Sequence, residues 1–306
     1  MIRSIIRYPD KGKLLLALFL IIMFFAIALA APLLSEQEDP TQPSYFKIVG
    51  KPYDVNPYPP TPEVPLGTTP RQYDIFHTLV WGTRSALSFG LTITFISAFF
   101  GILLGALSGF TQGKIGDLII RISDTFISFP TIAGVVLINS FYASQTANLG
   151  ATPDIMHPII NFMIERNIHP VTLALIAFSW MPYVKLTHTS VIQQMEQEYI
   201  QAAKSIGASK LRIIITHILP NIYSPILVIA AKSIGGLVIL DAGLTYIGIS
   251  GATEWGSLLV ISRDWIVGSL AITYWWVFFP PVITIILFGL AWNFFGDQLT
   301  SLLNPR

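Results

Sequence analysis

Charged side chains are scarce in this chain, so their placement carries information. Only 11% of the 306 residues are Asp, Glu, Lys or Arg, yet the stretch EYIQAAKSIGASKLRIIITHILPN (198–221) gathers Glu198, Gln201, Lys204, Lys210, Arg212 and His217 between two apolar runs. Two further charges, Lys232 and Asp241, stand inside an otherwise apolar run. A charge at membrane depth costs roughly 3 kcal/mol on insertion scales, so such residues face protein or water and are candidates for function. Nine positions apart at 100° per residue, the two point to nearly opposite sides of a helix and are not expected to pair with each other. Such a spacing suits one charge turned to a partner subunit and the other to a watery path. Asp241, with Lys232 and Tyr246, is the candidate for pathway or gate, and a structural salt bridge at a subunit interface is the alternative.

Most soluble chemistries find no residues here. A nucleotide-binding loop needs G-x-x-x-x-G-K-[ST], and Gly109-Phe-Thr-Gln-Gly113-Lys114-Ile115 is one residue short and lacks the hydroxyl. This chain is therefore expected to hold no ATP site and no cofactor of its own. Neither G-x-S-x-G nor H-E-x-x-H occurs. Asp154, His157, Glu165 and His169 sit at spacings of 3, 8 and 4, which match no ligand pattern, so no metal is expected. The chain has no Cys, which removes disulfides, zinc-thiolate sites and thiol nucleophiles. A net charge of +1 gives no sign of a nucleic-acid partner.

Lipid is the solvent the composition asks for. Hydrophobic residues make up 53% of the chain at a mean hydropathy of +0.63, and 11% charge is well below the roughly 25% of a soluble domain. Crossing about 30 Å of hydrocarbon takes about 20 helical residues. Charge-free runs at Leu14–Ala31, Ser85–Gln112, Thr125–Pro153, Asn167–Val184 and Trp265–Gly296, with a fifth span near 222–249, predict an all-α polytopic protein of six transmembrane helices. Arg3, Arg7, Lys11 and Lys13 before an apolar run ending Ala-Leu-Ala-Ala-Pro resemble a signal peptide, but five following spans favour a retained first helix. With both termini inside, eleven Lys and Arg fall on inner segments and six on outer ones, with Lys232 inside a span, which supports an N-in, C-in topology.

The chain then divides into a cytoplasmic tail (1–13), a first transmembrane helix (14–32), a Pro-rich extracytoplasmic segment (33–84) and a five-helix core (85–306). Inside the core lies one long inner loop, 193–220. Pro density over Asp54–Pro65 predicts extended, irregular backbone, serving either as spacer or as a surface for an extracellular partner. Arg121 and Asp124, three apart, read as a local pair. Pro280-Pro281 is expected to kink the last span. Trp255, Trp265, Trp275 and Trp276 suit an interfacial aromatic belt.

Within the loop, Met195, Tyr199, Ala202, Ala203 and Ile206 recur at helical spacing, as do Leu211, Ile214, Ile215, Ile218 and Leu219. Gly207 between them suits a left-handed helix end and Ser209 an N-cap, giving helix, Gly turn, helix, stopped at Pro220. Periodicity alone leaves an amphipathic connector lying on the membrane as a full alternative.

The order of the pieces is more specific. Ala202-Ala203, Gly207 and Ile218-Leu219-Pro220 resemble the "EAA" loop of permease subunits of binding-protein-dependent ABC importers. Gln201 stands where the general motif has Glu and His217 where it has Ile. Both departures, with Glu198-Tyr199 and His217–Asn221, resemble the C-type permeases of the dipeptide/oligopeptide branch. Trp81-Gly-Thr-Arg-Ser-Ala-Leu87, Gly116-Asp117, Asp124, Phe129-Pro130, Asp241–Gly248, Trp255-Gly256, Asn293–Asp297 and Asn304-Pro305-Arg306 add matches in order. The family's Gly-Thr-Asp…Gly-Arg-Asp has become Gly67-Thr68-Thr69…Gln72-Tyr73-Asp74.

The resemblance implies a type I ABC importer permease fold and alternating access. Glu198, Gln201, Ala202, Ala203, Gly207, Ala208, Ser209 and Leu211 would form the coupling element against a cytoplasmic ATPase. It also implies a homologous permease, two ATPases carrying ATP and Mg, an extracytoplasmic binding protein, and the cell membrane of a prokaryote. Oligosaccharides or nickel chelates are the alternative cargo to peptides. An ATP-independent channel or secondary transporter would want inverted repeats and paired intramembrane charges, and the chain has neither.

Overall fold

A computed structural model describes residues 11–37, 44–50, 54–111, 113–147, 157–166 and 168–303; Asp154 and Asn304-Pro305-Arg306 lie outside them. The described residues are overwhelmingly helical, with two isolated β-bridges and no β-strand among them. In chain order the helices are α1 (Lys11–Leu34), α2 (Ile75–Thr111), α3 (Lys114–Ser128), α4 (Thr131–Ala147), α5 (His157–Glu165), α6 (Pro170–Ser179) and α7 (Met181–Met195). After them come α8 (Glu198–Ser205), α9 (Lys210–Arg212), a π-helical turn (Ile213–Ile218), α10 (Leu219–Tyr246), α11 (Glu254–Ser262), a 3-10 turn (Arg263–Trp265), α12 (Leu270–Thr273) and α13 (Trp275–Leu303).

Four of these are long and apolar enough to cross a membrane: α1, α2, the π turn with α10, and α13. The pair α3 and α4 would make a fifth span, bent by 83°. Its break falls at Phe129-Pro130, where Phe129 is extended (φ −84°, ψ 129°), the conformation that a following proline imposes. The run Asn167–Val184 is divided in two at Trp180, between α6 and α7. Pro182 has no N–H for the Phe178 carbonyl and its ring crowds that position, so the helix cannot run straight through. Helix α2 begins ten residues before the expected Ser85, because Asp74 caps it by accepting the His77 N–H on Oδ1 (3.2 Å).

The chain forms two compact units, residues 1–91 with 234–295, and residues 92–233 with 296–306. In the first, Phe24, Trp255, Phe288 and Trp292 form an edge-to-face aromatic cluster with neighbouring centroids 5.1–6.3 Å apart. Trp255 is wholly buried and its indole N–H donates to the Leu79 carbonyl (3.2 Å), so it belongs to this core and not to the expected interfacial belt. The segment ahead of α2 is knitted by polar groups. Gln72, at φ 61°, donates from Nε2 to the Asp54 and Asn56 carbonyls (2.9 and 2.7 Å). The left-handed backbone explains why the family pattern has Gly at this place, and the amide contacts are what Gln adds. The His77 ring bonds the Ser44 carbonyl (3.0 Å) through Nε2, which must carry the proton, and accepts from Ser35 Oγ (2.7 Å) on Nδ1.

In the second unit the glycines of Gly101-Ile-Leu-Leu-Gly105-Ala-Leu-Ser-Gly109 form a stripe along α2 against α7. A Cβ on them would come within 2.7, 2.6 and 2.9 Å of the Trp180, Val184 and His188 carbonyls. Small residues four apart let two helix backbones touch where lipid gives no hydrophobic drive to associate. Asp124 pairs with Lys185 of α7 (2.5 Å), not with Arg121, so this charge ties α3 to its neighbour instead of decorating its own helix.

Candidate coupling site

The loop at 193–220 folds back on the core of the second unit. Helix α8 turns Ile200 and Ala203 inward, where they pack with Tyr183, Val191, Ile213, Ile218 and Ile222. Glu198 opens α8, where a carboxylate favours the positive end of the helix dipole. Gln201 is exposed, and its Nε2 reaches back to the Met195 carbonyl (2.8 Å), tying α8 to the end of α7. Ala202, next to buried Ala203, is exposed.

Gly207 ends α8 at φ +81°. Its N–H donates to the Lys204 carbonyl (3.0 Å) and the Ala208 N–H to the Ala203 carbonyl (3.0 Å), the paired bonds of a Schellman end. Ala208 packs partly against the core, and Ser209 Oγ accepts from the Arg212 N–H (3.4 Å) to cap α9. Leu211 lies within α9. Seven of the eight residues expected in the coupling element thus make one continuous helix–turn–cap, and Leu211 follows directly on it in the chain.

The expected stop at Pro220 does not occur. The chain passes through the π turn into α10, with the Leu219 N–H bonding the Ile214 carbonyl five residues back. Pro220 has no N–H and its ring crowds the preceding turn; the wider π turn gives it room, so the loop is fused to a long apolar helix rather than hinged from it.

Sequence reasoning missed a lock on this junction. Asn221 donates to the Tyr199 hydroxyl (3.2 Å) and to the His217 carbonyl (2.6 Å), and Tyr199 donates to Gln194 Oε1. The Tyr199 and His217 rings lie 6.3 Å apart. Asn221 therefore joins the first turn of α10 to α8, although its one sequence signal was the matched His217–Asn221 run. On the same loop, Ile206 is 87% exposed, Tyr199 and Ile215 are also exposed, and so are Lys204, Lys210 and Arg212. An isoleucine held in the open by this turn covers nothing among the described residues.

The pathway candidates lie apart from this loop in sequence and have partners of their own. Lys232 pairs with Asp297 of α13 (2.6 Å), its stem crossing Gly296, where a Cβ would meet Lys232 Cγ at 2.6 Å. The ion pair is thus within the chain. Asp241 is fully buried and accepts three hydrogen bonds from Ala252 and Thr253. Tyr246, the last residue of α10, is half-buried.

A multi-pass helical protein with an exposed helix–turn element on one loop has the form of a membrane permease component. The chain belongs to the family of binding-protein-dependent transport system inner membrane components, which it matches over residues 101–306, the whole loop at 193–220 included. It is 32% identical to the di/tripeptide transport system permease protein DppC of Pseudomonas aeruginosa (strain UCBPP-PA14), over 79% of this chain and 72% of that one. Against the dipeptide transport system permease protein DppC of Alkalihalophilus pseudofirmus the identity is 32% over 99% of this chain and 90% of that one. The oligopeptide transport system permease protein OppC of Bacillus subtilis (strain 168) is 24% identical, over 99% and 88% respectively.

Proposed function

We propose that this chain is one permease subunit of an ATP-driven importer of di- or oligopeptides in a prokaryotic cell membrane, and that the loop at 198–211 couples it to a cytoplasmic ATPase. The observation that carries the coupling role is the Schellman turn at Gly207, which fixes Ile206 in solvent while Ile200 and Ala203 anchor α8 in the core. Binding hot spots gather around apolar and aromatic anchors among polar residues, and exposed Ile206 and Tyr199 with the exposed Lys204, Lys210 and Arg212 of the same loop have that composition. Peptide cargo is supported by the di-, tri- and oligopeptide transport for which the relatives are named, two of them matching over nearly the full chain.

The chain crosses the membrane six times with both termini inside, α6 and α7 together making the broken fourth span. It works with a homologous permease, two ATPases that bind ATP and Mg, and an extracytoplasmic binding protein. ATP-driven closure of the ATPases displaces α8, and the fused π turn carries that displacement into α10. Asp241 supports the pathway by holding its wall and not by touching cargo.

Proteoliposomes holding the complete complex test this reading with radiolabelled di- and oligopeptides. Uptake that needs ATP and the binding protein is expected. ATP-independent flux through the purified chain alone overturns the mechanism, and saturable uptake of oligosaccharides in place of peptides overturns the cargo.

A further inference from the structure

Helix α11 is nine residues long, so it reaches about 14 Å at 1.5 Å per residue, under half of the roughly 30 Å hydrocarbon core. It cannot cross, and the chain must return on the side from which it entered. Irregular backbone beside an apolar bundle is tolerated where protein groups satisfy its N–H and C=O groups. The connection from α10 to α11 meets that demand with one side chain.

Helix α10 ends in a second Schellman turn, Gly248 at φ +97° with its N–H on the Thr245 carbonyl (2.9 Å) and the Ile249 N–H on the Leu244 carbonyl (3.0 Å). The chain then doubles back along the last turn of α10. Gly251 and Gly256 lie so close to Thr245 that a Cβ would fall 1.7 and 2.7 Å from its Oγ1. That approach brings the first turn of α11 over Asp241. Oδ1 accepts from the Ala252 N–H (2.8 Å), and Oδ2 accepts from the Thr253 N–H (3.0 Å) and hydroxyl (2.6 Å). Thr253 is the N-cap of α11, so the carboxylate also sits at the positive end of that helix. Glu254, next along, bonds Ser85 of α2, and Trp255 bonds Leu79.

We propose that Asp241 is a positioning residue for transport: its carboxylate clasps α11 against the end of α10 and fixes this short helix as a non-crossing part of the pathway wall. The need for an acid follows from the donors. Two N–H groups and one hydroxyl converge on it, and a neutral amide would turn a donor toward one of them.

This chain has no Cys, so a single Cys introduced in it and spin-labelled before assembly with its partners reports α11 alone. With Ser257→Cys labelled in the full complex, Asp241→Ala and Asp241→Asn should give a mobile spectral component and lower ATP-driven uptake by about tenfold or more, since charge-assisted bonds are roughly twice as strong as neutral ones. Thr253→Val removes one bond of three, leaves both backbone bonds, and should give an intermediate change in both readouts. It also decides the matter if the Asp241 variants fail to insert. The proposal rests on the transport reading for its uptake measurement, whereas the label comparison stands even if the complex carries no peptide. Uptake lost with the label unchanged would mean that Asp241 acts on the cargo path directly and overturns the proposal. A loosened label with undiminished uptake overturns it equally, by showing that transport does not need α11 fixed.

Discussion

Substituting Gly207 tests the coupling loop with little ambiguity, because nothing lies within 4 Å of where its Cβ would be. Gly207→Ala adds no clash within the chain, so its whole effect comes from holding an L-residue at φ +81°. That costs roughly 1–2 kcal/mol, which lowers the population of the formed turn relative to a relaxed one by about 5- to 30-fold. Gly207→Pro goes further. Its ring fixes φ near −65°, which forbids the turn, removes the N–H that bonds Lys204 and pulls the Ala208 N–H from Ala203. Two hydrogen bonds at about 1 kcal/mol each then add to the backbone term. Uptake in proteoliposomes, with ATPase copurification measured in parallel, should fall a few-fold for Gly207→Ala and be lost for Gly207→Pro. The Pro variant should also lose either the ATPase subunits or the link between hydrolysis and uptake. Wild-type uptake and wild-type copurification in Gly207→Pro together refute the coupling assignment. Equal losses in both variants refute the backbone explanation and place the new methyl against the ATPase surface.

Gly105→Ala puts a Cβ 2.6 Å from the Val184 carbonyl and should lower the melting temperature of the detergent-purified chain, overpacking costing about 1–3 kcal/mol. Gly236→Ala, with open space around its Cβ, should leave it unchanged or raise it. Asp297→Asn strands Lys232 on an apolar helix and should reduce the membrane-inserted yield, which the exchanged pair Lys232→Asp with Asp297→Lys should restore. Burial raises the Asp74 carboxyl above its ordinary value, opposed by the backbone N–H groups of His77 and Phe76. Its charged form is therefore the costly one in the folded state, and stability from this group falls as pH rises through the carboxylate range. Asp74→Asn, which keeps the cap acceptor, should flatten the pH dependence of thermal stability just above the ordinary Asp pKa of about 4.

How much the sequence disclosed depended on whether a feature is local. The turn at Gly207 and the cap at Ser209 were readable because a left-handed helix end and an N-cap are properties of one or two residues. The helix breaks at Phe129-Pro130 and near Pro182 carried equally local signals. Partner choice was hidden. Asp124 is three residues from Arg121, but the fold offers it Lys185 on α7. Trp255 has the residue type of an interfacial anchor and the environment of a core side chain. Of the stripe Gly101, Gly105, Gly109 only the last drew notice, in a failed phosphate loop, because the meaning of the stripe lies in the α7 backbone it touches.

Pro220 shows the same division most clearly. By local rules a proline ends the helix before it, and the loop would then be a separate piece hinged to the membrane. Instead the Leu219 N–H reaches back to Ile214 and the chain winds on into α10. Asn221, one residue later, bonds both the His217 carbonyl and the Tyr199 hydroxyl, so α8 and the start of α10 share a polar lock as well as a continuous backbone. A hinge at Pro220 would dissipate a push on α8, whereas a wound π turn under a side-chain lock passes it on. The proline thus selects how the helix is wound at the point where the loop becomes a long apolar helix, and Asn221 with Tyr199 is what holds that winding in register.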